Sequence, residues 1–68
     1  MFIHEAVKEA MEKKCYIKRN AAWYSKEVKF LPTNTPECII VYSETNPPRR
    51  RWQPNAEDLI ADDWELAD

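Results

Sequence analysis

A chain of 68 residues at net charge −2 makes one small domain, whose core supplies only about 3–5 kcal/mol, so a staple or a second subunit is expected. Hydrophobic residues are 44% of it, with three Trp, three Tyr and two Phe, which excludes a disordered chain. No apolar run approaches the ~20 residues that cross a bilayer, no signal-peptide-like stretch opens the chain, and glycine is absent, which excludes P-loop and dinucleotide fingerprints.

In chain order, residues 4–14 predict a helix. Ile3, Ala6, Val7, Ala10 and Met11 follow the i, i+3, i+4, i+7, i+8 stripe. Glu5, Glu9 and Glu12 alternate at helical spacing with Lys8, Lys13 and Lys14, and the closing lysines suit the negative helix end. His4 reads as an exposed helix-terminus residue. Residues 15–19 predict a strand, with Tyr16 and Lys18 on one face and Cys15, Ile17 and Arg19 on the other. A loop over 20–26 carries Trp23 and Tyr24. Two more strands, 28–31 and 38–42, flank a turn at 32–36, and 43–50 is an extended surface connection with Asn46-Pro47-Pro48.

The last third reads as strand 51–53, cap, short helix, strand 64–66. Pro54 fixes φ and cannot extend a ladder beyond Gln53. Asn55 is the N-cap, able to accept from Glu57 or Asp58, and Asp58 sits three residues on, where a carboxylate reaches back to the cap. Leu59 and Ile60 are expected to give this turn its buried face, and Trp64 to anchor the exit strand. Without glycine, left-handed turn positions are expected at Asn20, Asn34 and Asn46, the next most tolerant type. Cys15 and Cys38, at the starts of two expected strands, read as buried free thiols. The whole is an α+β domain: an amphipathic helix packed on a small antiparallel sheet, with a second short helix before the last strand.

Charge is unevenly placed. Residues 1–53 carry ten basic and six acidic side chains, and residues 54–68 six acidic and none basic. Such a split means attraction within or between subunits, or an anion site rimmed by Lys18, Arg19 and Arg49, Arg50 and Arg51. Strand alternation would send Arg49 and Arg51 to one face and Arg50 to the other. The acidic total makes general nucleic-acid binding a poor fit. Catalysis has little support: a nucleophile–base pair would have to bring His4 to Ser25, Ser43 or a cysteine. Asp62 and Asp63 diverge as neighbours and read as a solvated helix end, not a metal site, and no cofactor is expected. Binding fits better. Trp23, Tyr24 and Trp52 lie in or beside loops, where each could stack a nucleobase for about 1–3 kcal/mol. They could equally fill a core or an oligomer interface.

The run W-x-P-x-x-x-D-L-x-A-x-D-W-E, from Trp52 to Glu65, resembles the closing signature of the phage Thoeris anti-defence 2 family. The opening helix, the segment Tyr16-Ile17-Lys18-Arg19 and Trp23 are similar to that family's helix, strand and tryptophan loop. The resemblance covers nearly the whole chain, residues 1–68. It implies a non-enzymatic sponge in the host cytoplasm, phage or prophage encoded. Such a protein binds a cyclic ADP-ribose-type signalling nucleotide and withholds it from a bacterial immune effector. It also implies a homo-oligomer, a tetramer, with pockets between subunits. Carried onto this chain, the ligand residues are Trp23, Tyr24, Trp52, Pro54, Asn55 and Asp58, with Arg19 and Arg51 for phosphate. Two rival readings are a ligand-free interaction module of the same fold and a weak nucleic-acid binder through Arg49, Arg50 and Arg51.

Overall fold

The opening stripe forms helix α1, Ile3–Lys13, and its buried residues are the two smallest, Ala6 and Ala10. Their lack of bulk lets the helix lie close to the sheet, while Ile3 and Val7 pack at the margin of the core. This is a computed structural model describing residues 1–24 and 27–68; Ser25, a weighed nucleophile, and part of the expected 20–26 loop lie outside the described residues. Glu5 turns back to accept from the Phe2 N–H at 2.9 Å, which satisfies one orphan donor of the first turn. Of the expected Glu–Lys pairs along the helix, Lys13–Glu9 forms, at 3.6 Å. The helix stops where Lys14 goes left-handed (φ 56°, ψ 50°) and its N–H reaches the Ala10 carbonyl.

Among the described residues four strands follow: β1 Tyr16–Arg19, β2 Lys29–Pro32, β3 Ile39–Tyr42 and β4 Trp64–Ala67, with helix α2, Ala56–Ile60, before the last. Every pairing is antiparallel and the order is β3-β2-β1-β4, so the first strand in sequence is central and the last is an edge. The expected α+β architecture is therefore present. The register sets Ile17 opposite both Phe30 and Leu66, Phe30 opposite Val41, and Arg19 opposite Trp64. These residues share the face that α1 covers, and Ile17, Phe30 and Trp64 are almost completely buried there. On the other face Tyr16 meets Tyr42 edge-on at 5.3 Å, Lys29 lies over the Tyr16 ring at 4.1 Å, and Lys18 pairs with Glu65 at 3.4 Å.

Four expectations are corrected. Residues 51–53 are not a strand. Arg49 exchanges two backbone hydrogen bonds with Val41 (2.8 and 3.0 Å), but Arg51 then turns left-handed at φ 55°, which breaks the ladder after one bridge. The segment still covers the β3 edge, because the Arg51 and Trp52 N–H groups donate to the Glu37 and Ile39 carbonyls. Among the described residues the left-handed positions are Lys14, Cys38 and Arg51, not Asn20, Asn34 or Asn46. Hydrogen bonding fixes the turn at Cys38: its N–H donates to the Thr35 carbonyl at 2.9 Å, and its own carbonyl accepts from the Thr33 N–H at 2.8 Å. Cys38 is accordingly exposed and Cys15 half-buried; both are free thiols, but neither is buried.

The fourth correction concerns α2. Leu59 and Ile60 are 52% and 74% exposed, and the residue that α2 buries is Asp58. The cap itself is as expected. Asn55 Oδ1 accepts from the Asp58 N–H at 2.9 Å, and Asp58 Oδ2 accepts from the Asn55 N–H at 3.1 Å. Replacing Asn55 with alanine is expected to cost about 0.5–2 kcal/mol, seen as a lowered melting temperature. Coincident melts of variant and parent would mean that the cap contributes nothing.

Candidate functional site

Arg19 sits on the buried face of β1, where a lone guanidinium would be untenable. Two carboxylates from the far end of the chain meet it. Its Nε and Nη2 donate to both oxygens of Asp63 (Nη2–Oδ2 3.1 Å), and its Nη1 donates to Asp58 Oδ1 at 2.9 Å. The bidentate fork suits a planar guanidinium. Asp58 is thus shared between the cap of α2 and the sheet. The Trp64 indole N–H closes the cluster by donating to the Asp58 backbone carbonyl at 2.9 Å. Among the described residues no buried side-chain polar atom is left without a partner. The hydrogen bonds with Asp63 raise the already high pKa of Arg19, and the same contact holds the Asp63 carboxyl below the usual carboxylate range.

Aromatic rings surround this cation. Its central carbon lies 5.1 Å from the ring of Trp23, 5.5 Å from Tyr24 and 5.7 Å from Trp64, all within cation–π range. Burial pushes the Tyr24 hydroxyl above its ordinary pKa. Trp23 differs from the other two tryptophans in being 67% exposed. It borders an open groove of about 510 Å³ shared with Arg19, Glu57, Ile60, Asp62 and Asp63. The indole thus has the held guanidinium close by and is otherwise mostly in water, which leaves ring surface open to a stacking partner.

The structure brings together five of the eight proposed ligand residues: Arg19, Trp23 and Tyr24, with Asp58 and its cap partner Asn55. Pro54, half-buried, leads into α2. Trp52 belongs with the core, its ring 4.2 Å from Phe30 and 5.9 Å from Trp64. Arg51 lies apart at the β3 edge, its Nε donating to the Pro36 carbonyl at 3.1 Å beside Glu37 and Arg50. Asp63 is the residue the sequence reading missed. It is an ion-pair partner and not part of a solvated helix end, whereas Asp62 is exposed. The signal was present in the alternation of β1, which placed Arg19 on Ile17's face and so demanded a counter-charge from the acidic tail.

A larger open concavity, about 730 Å³, lies on the uncovered side of the sheet near Lys13, Lys18, Lys29 and Tyr42. Its lysines are engaged already, Lys13 with Glu9, Lys18 with Glu65 and Lys29 with the Asp68 carbonyl. Among the described residues no cluster of His, Cys, Asp and Glu could hold a metal ion, and no helix is long and apolar enough to cross a membrane.

Compared with known proteins, residues 1–67 match the family model described as Tad2-like, Thoeris anti-defense 2-like domain. No curated protein and no solved structure matches the chain.

Proposed function

The chain belongs to the Thoeris anti-defense 2-like family, and on that premise we propose that it binds a cyclic ADP-ribose-type signalling nucleotide and sequesters it from a bacterial immune effector. The protein acts as a stoichiometric sponge in the host cytoplasm and returns the nucleotide chemically unaltered. The observation that supports a binding role is the exposed Trp23 indole, backed by a guanidinium that two carboxylates hold in place. The proposed ligand set narrows accordingly. Trp23 stacks the base, Arg19, Tyr24, Asn55 and Asp58 form its scaffold, and Trp52 and Pro54 support the same end of the sheet. Because Arg19 is already paired and Arg51 stands apart, phosphate contacts need cations beyond this cluster. A homo-oligomer, such as a tetramer with pockets between subunits, would supply them.

Calorimetric titration with cyclic ADP-ribose, followed by heat release and mass spectrometry, tests this reading. Saturable binding and recovery of the intact nucleotide are expected; a hydrolysed product would overturn the sponge mechanism. Trp23→Ala is expected to weaken binding about 5- to 150-fold, the equivalent of about 1–3 kcal/mol of lost stacking. Its melting temperature should move by only a few degrees, since the ring is mostly in water. Unchanged affinity would place the pocket elsewhere. Light scattering at tens of micromolar should show a species larger than the 8.1 kDa chain; a lone 8.1 kDa species would remove the oligomer. A second reading rests on the exposure of Arg49, Arg50 and Arg51. It expects salt-dependent binding of a random oligonucleotide, which the sponge reading does not.

A further inference from the structure

The groove beside Trp23 carries the wrong charge for phosphate. Among the described residues Arg19 is the one basic side chain lining it, and Asp58 and Asp63 already hold that guanidinium, so the cluster as a whole is negative. Two more carboxylates line the same groove. Glu57 is exposed and makes no ion pair among the described residues, and Asp62 is 70% exposed, with only a 3.8 Å contact to the terminal ammonium. The groove also holds the open indole of Trp23 and, as an apolar wall, the 74% exposed Ile60. An aromatic face among carboxylates, with no unpaired cation beside it, is a place that attracts a ligand cation.

We infer that this groove selects the stacked base by its charge: it takes a purine bearing a full positive charge, as adenine does when alkylated or glycosylated at N1, in preference to the neutral purine. The inference rests on the proposed stacking of a base on Trp23 and adds which bases stack well. Glu57 and Asp62 determine the specificity, because they supply the attracting field while Trp23 supplies the π face. Arg19, 5.1 Å from the ring, does not cancel that field, since one positive charge stands against the two of Asp58 and Asp63. The same field repels phosphate. A nucleotide seated here therefore lays its base in the groove and points its phosphates out of it.

Two isomeric nucleosides test it. N1-methyladenosine is a cation at neutral pH and N6-methyladenosine is not, so the pair separates charge from size. NMR titration of the parent chain is expected to show the cation binding at least about tenfold more tightly, with raised salt narrowing the gap. Glu57→Gln with Asp62→Asn, both at exposed positions, should remove most of the gap, and circular dichroism melts check that the variant is folded. Glu57→Gln alone guards against a folding defect from the Asp62 contact and should narrow the gap about two- to threefold. Equal affinity for the two nucleosides, or saturable binding of neither up to tens of millimolar, would overturn the inference. A gap that survives both the single and the double substitution would overturn the role of Glu57 and Asp62. Titration with cyclic ADP-ribose, whose adenine is glycosylated at N1, separates this from the sponge. If that nucleotide binds but the nucleoside gap is absent, the charge selection fails and the sponge stands. If the gap is present but the nucleotide does not bind, the sponge fails and the groove is still a site for aromatic cations.

Discussion

Arg19→Ala is expected to unfold the domain at room temperature. The substitution leaves Asp58 buried against the sheet with no cation and strips Asp63 of its fork. Breaking one side of a buried ion pair costs about 3–5 kcal/mol, because the remaining charge is not compensated. That equals what a core of this size supplies, about 3–5 kcal/mol, so the loss is decisive. Denaturant titration in the presence of a stabilising osmolyte would quantify it. Asp63→Asn should be milder, since that carboxylate is about one-third exposed and leaves the Arg19–Asp58 bond in place.

Acid should act on the same cluster. The pKa of Asp63 is lower in the folded chain than its ordinary value of about 3.9, so the unfolded chain binds more protons as pH falls through that window. The contribution of Asp63 is therefore fully present above about pH 4–5 and is lost as pH falls through its depressed folded pKa. A pH series of melts on the parent and on Asp63→Asn should show a shallower acid limb in the variant. Parallel limbs would mean that the pairing has no energetic weight.

The second large effect is expected at Trp64. Its side chain is 1% exposed and touches Phe30, Trp52 and the Arg19 guanidinium. Truncation to alanine opens a cavity and removes the indole donor from the Asp58 carbonyl, about 3–5 kcal/mol in all, enough to prevent folding. Trp52→Ala is the instructive comparison. The family resemblance placed Trp52 in the ligand set, while its position beside a loop allowed a core role equally. Its ring, half-buried and 4.2 Å from Phe30, leads instead to an expected loss of about 2–3 kcal/mol. A Trp52→Ala protein that melts within a few degrees of the parent would restore the earlier view. Fluorescence-monitored unfolding distinguishes the outcomes.

What was legible in the sequence was local. The stripe of α1, the alternation in β1 and the Asn55–Asp58 cap depend on neighbours within four residues, and each formed. What was not legible depends on distant partners. Arg19 and Asp63 are 44 residues apart, so nothing near Asp63 showed that it would be drawn into the sheet. For the same reason the buried face of α2 was misjudged. Hydrophobicity nominated Leu59 and Ile60, but the guanidinium across the sheet decides which side of the turn faces inward, and it selects Asp58. Residue type also misled at the left-handed positions. Asparagine tolerates that region best, yet Cys38 and Arg51 are placed there by hydrogen bonds to Thr33, Thr35 and Glu37. The candidate platform at Trp23 was visible as a loop aromatic, but its exposure was not, because spacing cannot tell a plug from a platform.

The strand order has a kinetic consequence. β1 can pair early with β2, from which nine residues of chain separate it, and β2 with β3, six residues further on. Its other side waits for β4, whose Ala67 must find Tyr16 across some fifty residues of chain. Closing that long loop costs entropy that no contact repays until the end. Assembly is therefore expected in two stages, a helix and three-stranded meander first, then α2 and β4 together with Asp58, Asp63 and Trp64, and stopped-flow refolding in a single phase would contradict it. In the interval the central strand has a bare edge and Arg19 lacks its counter-charges. Substitutions in β4 are expected to speed unfolding and leave the folding rate nearly untouched, and crowded, half-assembled chains are the stage at which this protein is most prone to aggregate.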